Sequence, residues 1–78
     1  MFKWLTNLRN KRSAEKHGWN PLWFGASSFD ERLIEKIKRF QDHRGLHPNG
    51  YCCEKTYKLA LLRRLRKIRR KYKWTKSH

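Results

Sequence analysis

Between residues 29 and 40 the apolar positions fall at Phe29, Leu33, Ile34, Ile37 and Phe40, the three-and-four spacing of one helical face. Arg32, Glu35, Lys36, Lys38, Arg39 and Asp42 fill the other side, so the pattern predicts an amphipathic helix over about residues 29–44. Its ends are signalled as well. Ser28 with Glu31 three residues on reads as a capping box, and Asp30 and Glu31 suit the positive end of the helix dipole. His43 and Arg44 suit the last turn, and Gly45 the left-handed residue that follows it.

The next segment, His47-Pro48-Asn49-Gly50, carries turn chemistry, because Pro48 presets a corner and Asn49 and Gly50 tolerate positive φ. A second helix is predicted from near Glu54, with Tyr57, Leu61, Leu65, Ile68 and Tyr72 on one face, widened by Leu59 and Leu62. Its first two turns are expected to pack on the preceding helix and the rest to project. Upstream, Phe2, Leu5 and Leu8 give a narrow apolar face to a short basic helix within residues 1–16. Between them, HGWNPLWFGAS over residues 17–27 reads as a loop, whose Trp19, Trp23 and Phe24 either pack over the core or stack on sugars or bases.

Charge divides the chain differently. The net charge is +15 over 78 residues. Counting along the sequence, residues 1–17 carry five basic residues and one acid, residues 18–57 six and five, and residues 58–78 ten and none. A nearly neutral middle therefore lies between basic ends, and such a polycation attracts nucleic acid, anionic lipid or an acidic surface. Four Trp, four Phe and three Tyr exclude a wholly disordered tail. One small domain is expected, with no signal peptide and no membrane span. The adjacent Cys52 and Cys53 are expected to be reduced thiols.

Ile37-Lys38-Arg39-Phe40-Gln41, then Gly45-Leu46, Asn49-Gly50, Lys55-Thr56-Tyr57 and Leu59 together resemble the peptidoglycan-binding-domain-like family. Those helical modules commonly read V-x-x-F-Q, G-L, D-G, G-x-x-T and L at similar spacing. The stretch GWNPLWFGASSFDERLIEKIKRFQ is similar to the lead-in of such modules in phage-encoded wall hydrolases. The resemblance covers about residues 18–62. It implies an all-α fold, a small helical bundle with a helix-turn-helix core, flanked by basic amphipathic arms at 1–17 and 63–78. It also implies a non-catalytic, peptidoglycan-binding function in a small phage protein of the virion or of lysis, located in the virion or in the host cytoplasm before lysis. Gln41, Asn49, Tyr51, Thr56 and Tyr57 become the wall-ligand candidates. The chain departs from the family in having Asn49 for Asp, Cys53 for the second Gly, and Glu54 for a frequent Pro, so helix two starts on a poorer cap and the binding loop is altered.

Other constellations compete weakly. His43, His47, Cys52 and Cys53 invite a zinc reading, but adjacent cysteines chelate one tetrahedral ion awkwardly, and neither metal nor cofactor is expected. Asp30, Glu31 and Glu35 already read as capping and solvated-face residues, and no nucleophile-base pair is evident, so the chain is not expected to be an enzyme. The C-terminal candidates for polyanion or partner binding are Arg63, Arg64, Arg66, Lys67, Arg69, Arg70, Lys71, Lys73 and Trp74. They suit nucleic acid, an anionic membrane surface, or other protein subunits of a large assembly such as a phage particle. The alternative to a wall-binding module is thus a nucleic-acid-binding or purely structural component, minor or cementing, that reuses the scaffold.

Overall fold

The protein is all-α: helices α1 (Lys3–His17), α2 (Glu31–His43) and α3 (Glu54–Lys76), with a short 3-10 turn at Pro21–Phe24 between the first two. The structure, a computed structural model, describes the backbone of residues 3–76 and the side chains of residues 3–67.

Helix α2 buries the face its sequence predicts. Leu33 and Ile37 are fully buried, and Ile34 and Phe40 nearly so. It starts later than expected, because the cap is Asp30 and not Ser28. Asp30 Oδ1 accepts from Leu33 N at 3.1 Å, while Ser28 Oγ donates to Asp30 Oδ2 at 2.9 Å. A carboxylate accepts more strongly than a hydroxyl at this position, and the Ser28 hydrogen bond and the Leu33 amide hold the Asp30 carboxyl below its usual range. At the other end Gly45 N donates to Asp42 O and Leu46 N to Gln41 O, the paired bonds of a Schellman stop, with Gly45 at φ +75°.

The Trp-rich segment packs over the core. Trp19 and Phe24 are buried and meet edge to face, Phe24 contacts Phe40 in the same manner, and Trp19 also touches Phe29. These offset and T-shaped contacts add to the area they bury.

Helix α1 corrects the expectation of an N-terminal arm. Its Trp4 and Leu8 are exposed, whereas Asn10, Ser13 and Ala14 are buried against the rest of the bundle. Lys3 Nζ lies 2.7 Å from Glu31 Oε1 and joins the starts of α1 and α2. Helix α3 also turns a different face inward from the one its apolar periodicity suggested. Thr56 and Ala60 are buried, Tyr57, Leu59 and Leu61 are half-buried, and Leu62 and Leu65 are exposed. A small residue such as Ala60 lets two helices approach closely. Ile68 and Tyr72 of the expected face lie outside the described side chains.

Candidate functional site

Residues 49–53 cross the bundle as an irregular strand of chain between α2 and α3, and an irregular buried segment must find partners for every backbone N–H and C=O. Three side chains from the flanking helices supply most of them. From α1, Asn10 Nδ2 donates to Gly50 O (3.2 Å), Asn10 Oδ1 accepts from Cys52 N (2.9 Å), and Ser13 Oγ donates to Cys52 O (2.6 Å). From α2, Gln41 Oε1 accepts from Gly50 N (2.9 Å) and Gln41 Nε2 donates to Tyr51 O (2.8 Å). Asn10 thus reads Gly50 and Cys52 much as the edge of a neighbouring β-strand would. Gly50 is at φ +79°, and a Cβ there would stand 2.6 Å from Ile34 Cγ2, so the segment's close seat on α2 requires glycine.

This geometry sorts the wall-ligand candidates. Gln41 and Thr56 are fully buried, and the Gln41 amide also reaches Asn49 Oδ1 and Thr56 Oγ1, each at 3.1 Å. Both are spent on the scaffold and are not available to a ligand. Asn49 is exposed, but its Oδ1 accepts from Tyr51 N (2.9 Å) as well as from Gln41. Tyr57 stacks with His17 (4.8 Å between centroids) and with Trp23 (5.8 Å), so its ring packs α1, the 3-10 turn and α3 together. Arg64 lies 4.5 Å over the Trp23 ring and extends that column. Tyr51 lines an open cleft.

That cleft, about 500 Å³, lies where α1 meets the start of α3. Arg9, Arg12, Lys16 and His17 form its α1 wall, at spacings that put them on one helical face, and Tyr51 and Glu54 form the other. A second cleft, about 390 Å³, lies between α2 and α3, with Lys36, Arg39, His43, Arg44 and Arg63 around Phe24 and Phe40. Arg63 was expected among the polyanion contacts of a projecting arm. Instead its Nη2 donates to Trp23 O at 2.6 Å and its guanidinium lies 4.9 Å over the Phe40 ring, so it joins α3 to the 3-10 turn and the core. Arg64, Leu65, Arg66 and Lys67 are all exposed. Arg69, Arg70, Lys71, Lys73 and Trp74 lie outside the described side chains.

The two cysteines are free and differ sharply. Burial, followed by the neighbouring Cys53, pushes the Cys52 thiol up to about 12, with a Ser13 hydrogen bond acting the other way. For Cys53 burial also acts upward, but the Thr56 amide, the Thr56 hydroxyl and the Lys55 amide outweigh it and hold the thiol below its ordinary value. Cys53 O accepts the first helical bond from Tyr57 N (2.8 Å), and Cys53 Sγ lies 3.6 Å from Thr56 Oγ1. Cys53 thus stands at the N-cap position of α3, where the resembled family has glycine, with its sulfur against the Thr56 hydroxyl. Since the Gln41 amide donates to Thr56 Oγ1, the Thr56 hydroxyl proton is free to point at that sulfur. Alkylation of the folded protein with iodoacetamide is expected to label Cys53 well before Cys52, with a rate-against-pH midpoint below that of an ordinary thiol, because a lowered pKa leaves more thiolate at a given pH. Peptide mass spectrometry showing equal labelling, or a raised midpoint, would contradict this assignment.

Among the described residues, no group of three or more His, Cys, Asp and Glu is placed to hold a metal ion, and no helix is long and apolar enough to cross a membrane. The fold and its clefts define a small three-helix bundle with basic openings among the described residues. In comparisons with known proteins, no family model, curated protein or solved structure matches the chain.

Proposed function

We propose that this protein is a non-catalytic binding module for peptidoglycan, carried in a small phage protein of the virion or of lysis and docked through its basic surfaces onto other subunits. The observation that carries this reading is the cleft beside Tyr51. It combines an aromatic ring for a sugar face, a row of cations for peptide carboxylates, and Glu54 as an acceptor for hydroxyl or amino groups.

The test is co-sedimentation with purified cell-wall sacculi at raised salt, where exposed charge is screened. The full chain is expected to stay bound. Tyr51→Ala combined with Arg12→Gln is expected to weaken retention about tenfold, equivalent to roughly 1.4 kcal/mol. Loss of all binding with salt, indifferent to Tyr51→Ala, would reduce the interaction to unspecific charge and sink the proposal. The exposed run Arg64, Arg66 and Lys67 favours a second reading, a nucleic-acid-binding structural component. On that reading an oligonucleotide displaces the chain from sacculi at low salt, and its affinity for the chain falls steeply as salt is raised.

A further inference from the structure

The cleft between α2 and α3 is unlike the one beside Tyr51, because no carboxylate lines it. Lys36, Arg39, Arg44 and Arg63 converge there with His43, and the ion pairs among the described residues engage Lys3, Lys38 and Lys58 instead. Two of the cations share one ring. Arg44 Cζ stands 5.1 Å, and Arg63 Cζ 4.9 Å, from the centre of Phe40. The ring's negative face attracts each of them, but it carries no net charge and cannot neutralise two guanidiniums. Burial, and then the Arg44 charge, push the Arg63 pKa down, so the pair is held together against its own repulsion.

What remains unused at this site is donor capacity. A guanidinium has five N–H groups in a planar fork. The hydrogen bond from Arg63 to Trp23 O uses one side of that fork and fixes the group's position. Fixed, partly desolvated guanidiniums match tetrahedral oxyanions well, since they donate in pairs and stay charged at any relevant pH. One effect opposes anion binding: the cleft adjoins the C-terminal end of α2, whose dipole carries about half a negative charge. Four permanent cations outweigh that half charge, and the last-turn carbonyls of Phe40, Gln41 and Asp42 are already taken by Arg44, Gly45 and Leu46 N–H groups.

We infer that this cleft is a binding site for a phosphate oxyanion, gripped by Arg44 and Arg63 with Arg39 and Lys36 completing its positive wall. The inference goes beyond the wall-binding proposal and does not depend on it. The same phosphate chemistry has two sources, free phosphate or the phosphodiester of a nucleic-acid strand continuing toward Arg66 and Lys67.

The experiment is a titration of the full chain with inorganic phosphate at constant ionic strength, followed by NMR of backbone amides and arginine Nε groups. Saturable shifts are expected at Arg44, Gly45 and the Arg63 side chain. Arg44→Gln is expected to weaken the affinity about tenfold, whereas Lys11→Gln, which removes an equal charge from an exposed site on α1, should change it less than twofold. Arg39→Gln provides a second variant at an exposed position should Arg44→Gln perturb the fold. Non-saturating shifts spread over the whole surface, or equal losses in the α1 and cleft variants, would overturn the site. A parallel titration with a short oligothymidylate separates the sources. Equal sensitivity to Arg44→Gln there identifies a phosphodiester strand, and insensitivity there, with phosphate binding still lost, identifies free phosphate.

Discussion

Gln41→Ala is expected to cost about 3–5 kcal/mol, the largest loss available to a single side chain outside the apolar core. Truncation leaves the buried Gly50 N–H without its acceptor, takes the amide donor from Thr56 Oγ1, and leaves Tyr51 O with only the Cys53 N–H. Each buried polar group left unpaired costs about 1–3 kcal/mol. It also opens a cavity at a residue that is only 1% exposed. A chain of this length has a total stability of only roughly 4–12 kcal/mol, so the loss takes at least about a quarter of it. Urea denaturation followed by circular dichroism measures it, and a loss below about 1 kcal/mol would contradict the bonding described. Gln41→Glu is the sharper comparison. It preserves volume and one acceptor, yet sets a carboxylate against Asn49 Oδ1 and Tyr51 O, and should be no milder than alanine.

Asn10→Ala is expected to cost about 3 kcal/mol for a parallel reason. Asn10 is fully buried and holds both Gly50 O and Cys52 N, some forty residues away in sequence. Its loss strands one buried acceptor and one buried donor at the same time. Asn10→Asp keeps the acceptor for Cys52 N and places a charge beside Gly50 O, so it should also destabilise. Lys11→Gln, at the next position on exposed surface, is expected to change stability by less than about 0.5 kcal/mol. If the Asn10 and Lys11 variants unfold at the same urea concentration, α1 is an attached arm and not a wall of the bundle.

These residues mark where sequence reading succeeds and fails. Helix α2 was legible because its burial is ordinary: Leu33, Ile34, Ile37 and Phe40 repeat at helical spacing, with a capped start and a glycine stop. The start of α3 at Glu54 was legible, whereas the turn expected at His47–Gly50 is an irregular connection in which Gly50 and not Asn49 takes the positive φ, and Gly50 N donates to Gln41 instead of closing a turn. Helix α1 could be anticipated as a helix but not as a part of the core. Its buried face is Asn10, Ser13 and Ala14, which no hydrophobic pattern picks out, while its large apolar residues Trp4 and Leu8 face outward. In α3, Tyr57 and Leu59 of the expected face do pack on the core, but Thr56, Ala60 and Arg63, which apolar periodicity does not pick out, join them. Of the ligand candidates, Tyr51 lines a cleft and Gln41 and Thr56 do not, a distinction that spacing cannot make. The acid-free cleft was invisible for the same reason. Lys36, Arg39, His43 and Arg44 look like a solvated helix end until Arg63 is brought beside them.

The sequence by itself determined that the chain is helical, where α2 begins to bury its apolar stripe, where α3 starts, and that positive charge collects toward the ends. All of these depend on neighbours within a few residues, whose preferences add along the chain. Only the tertiary structure decided that α1 is a structural wall, that Gln41 is a hub and not a ligand contact, and which cations gather into clefts. Those outcomes depend on pairings such as Asn10 with Cys52 and Arg63 with Trp23, across about forty residues. Hydrogen bonds and charges act over a few ångströms of space, and separation in sequence does not record which groups the fold has brought that close.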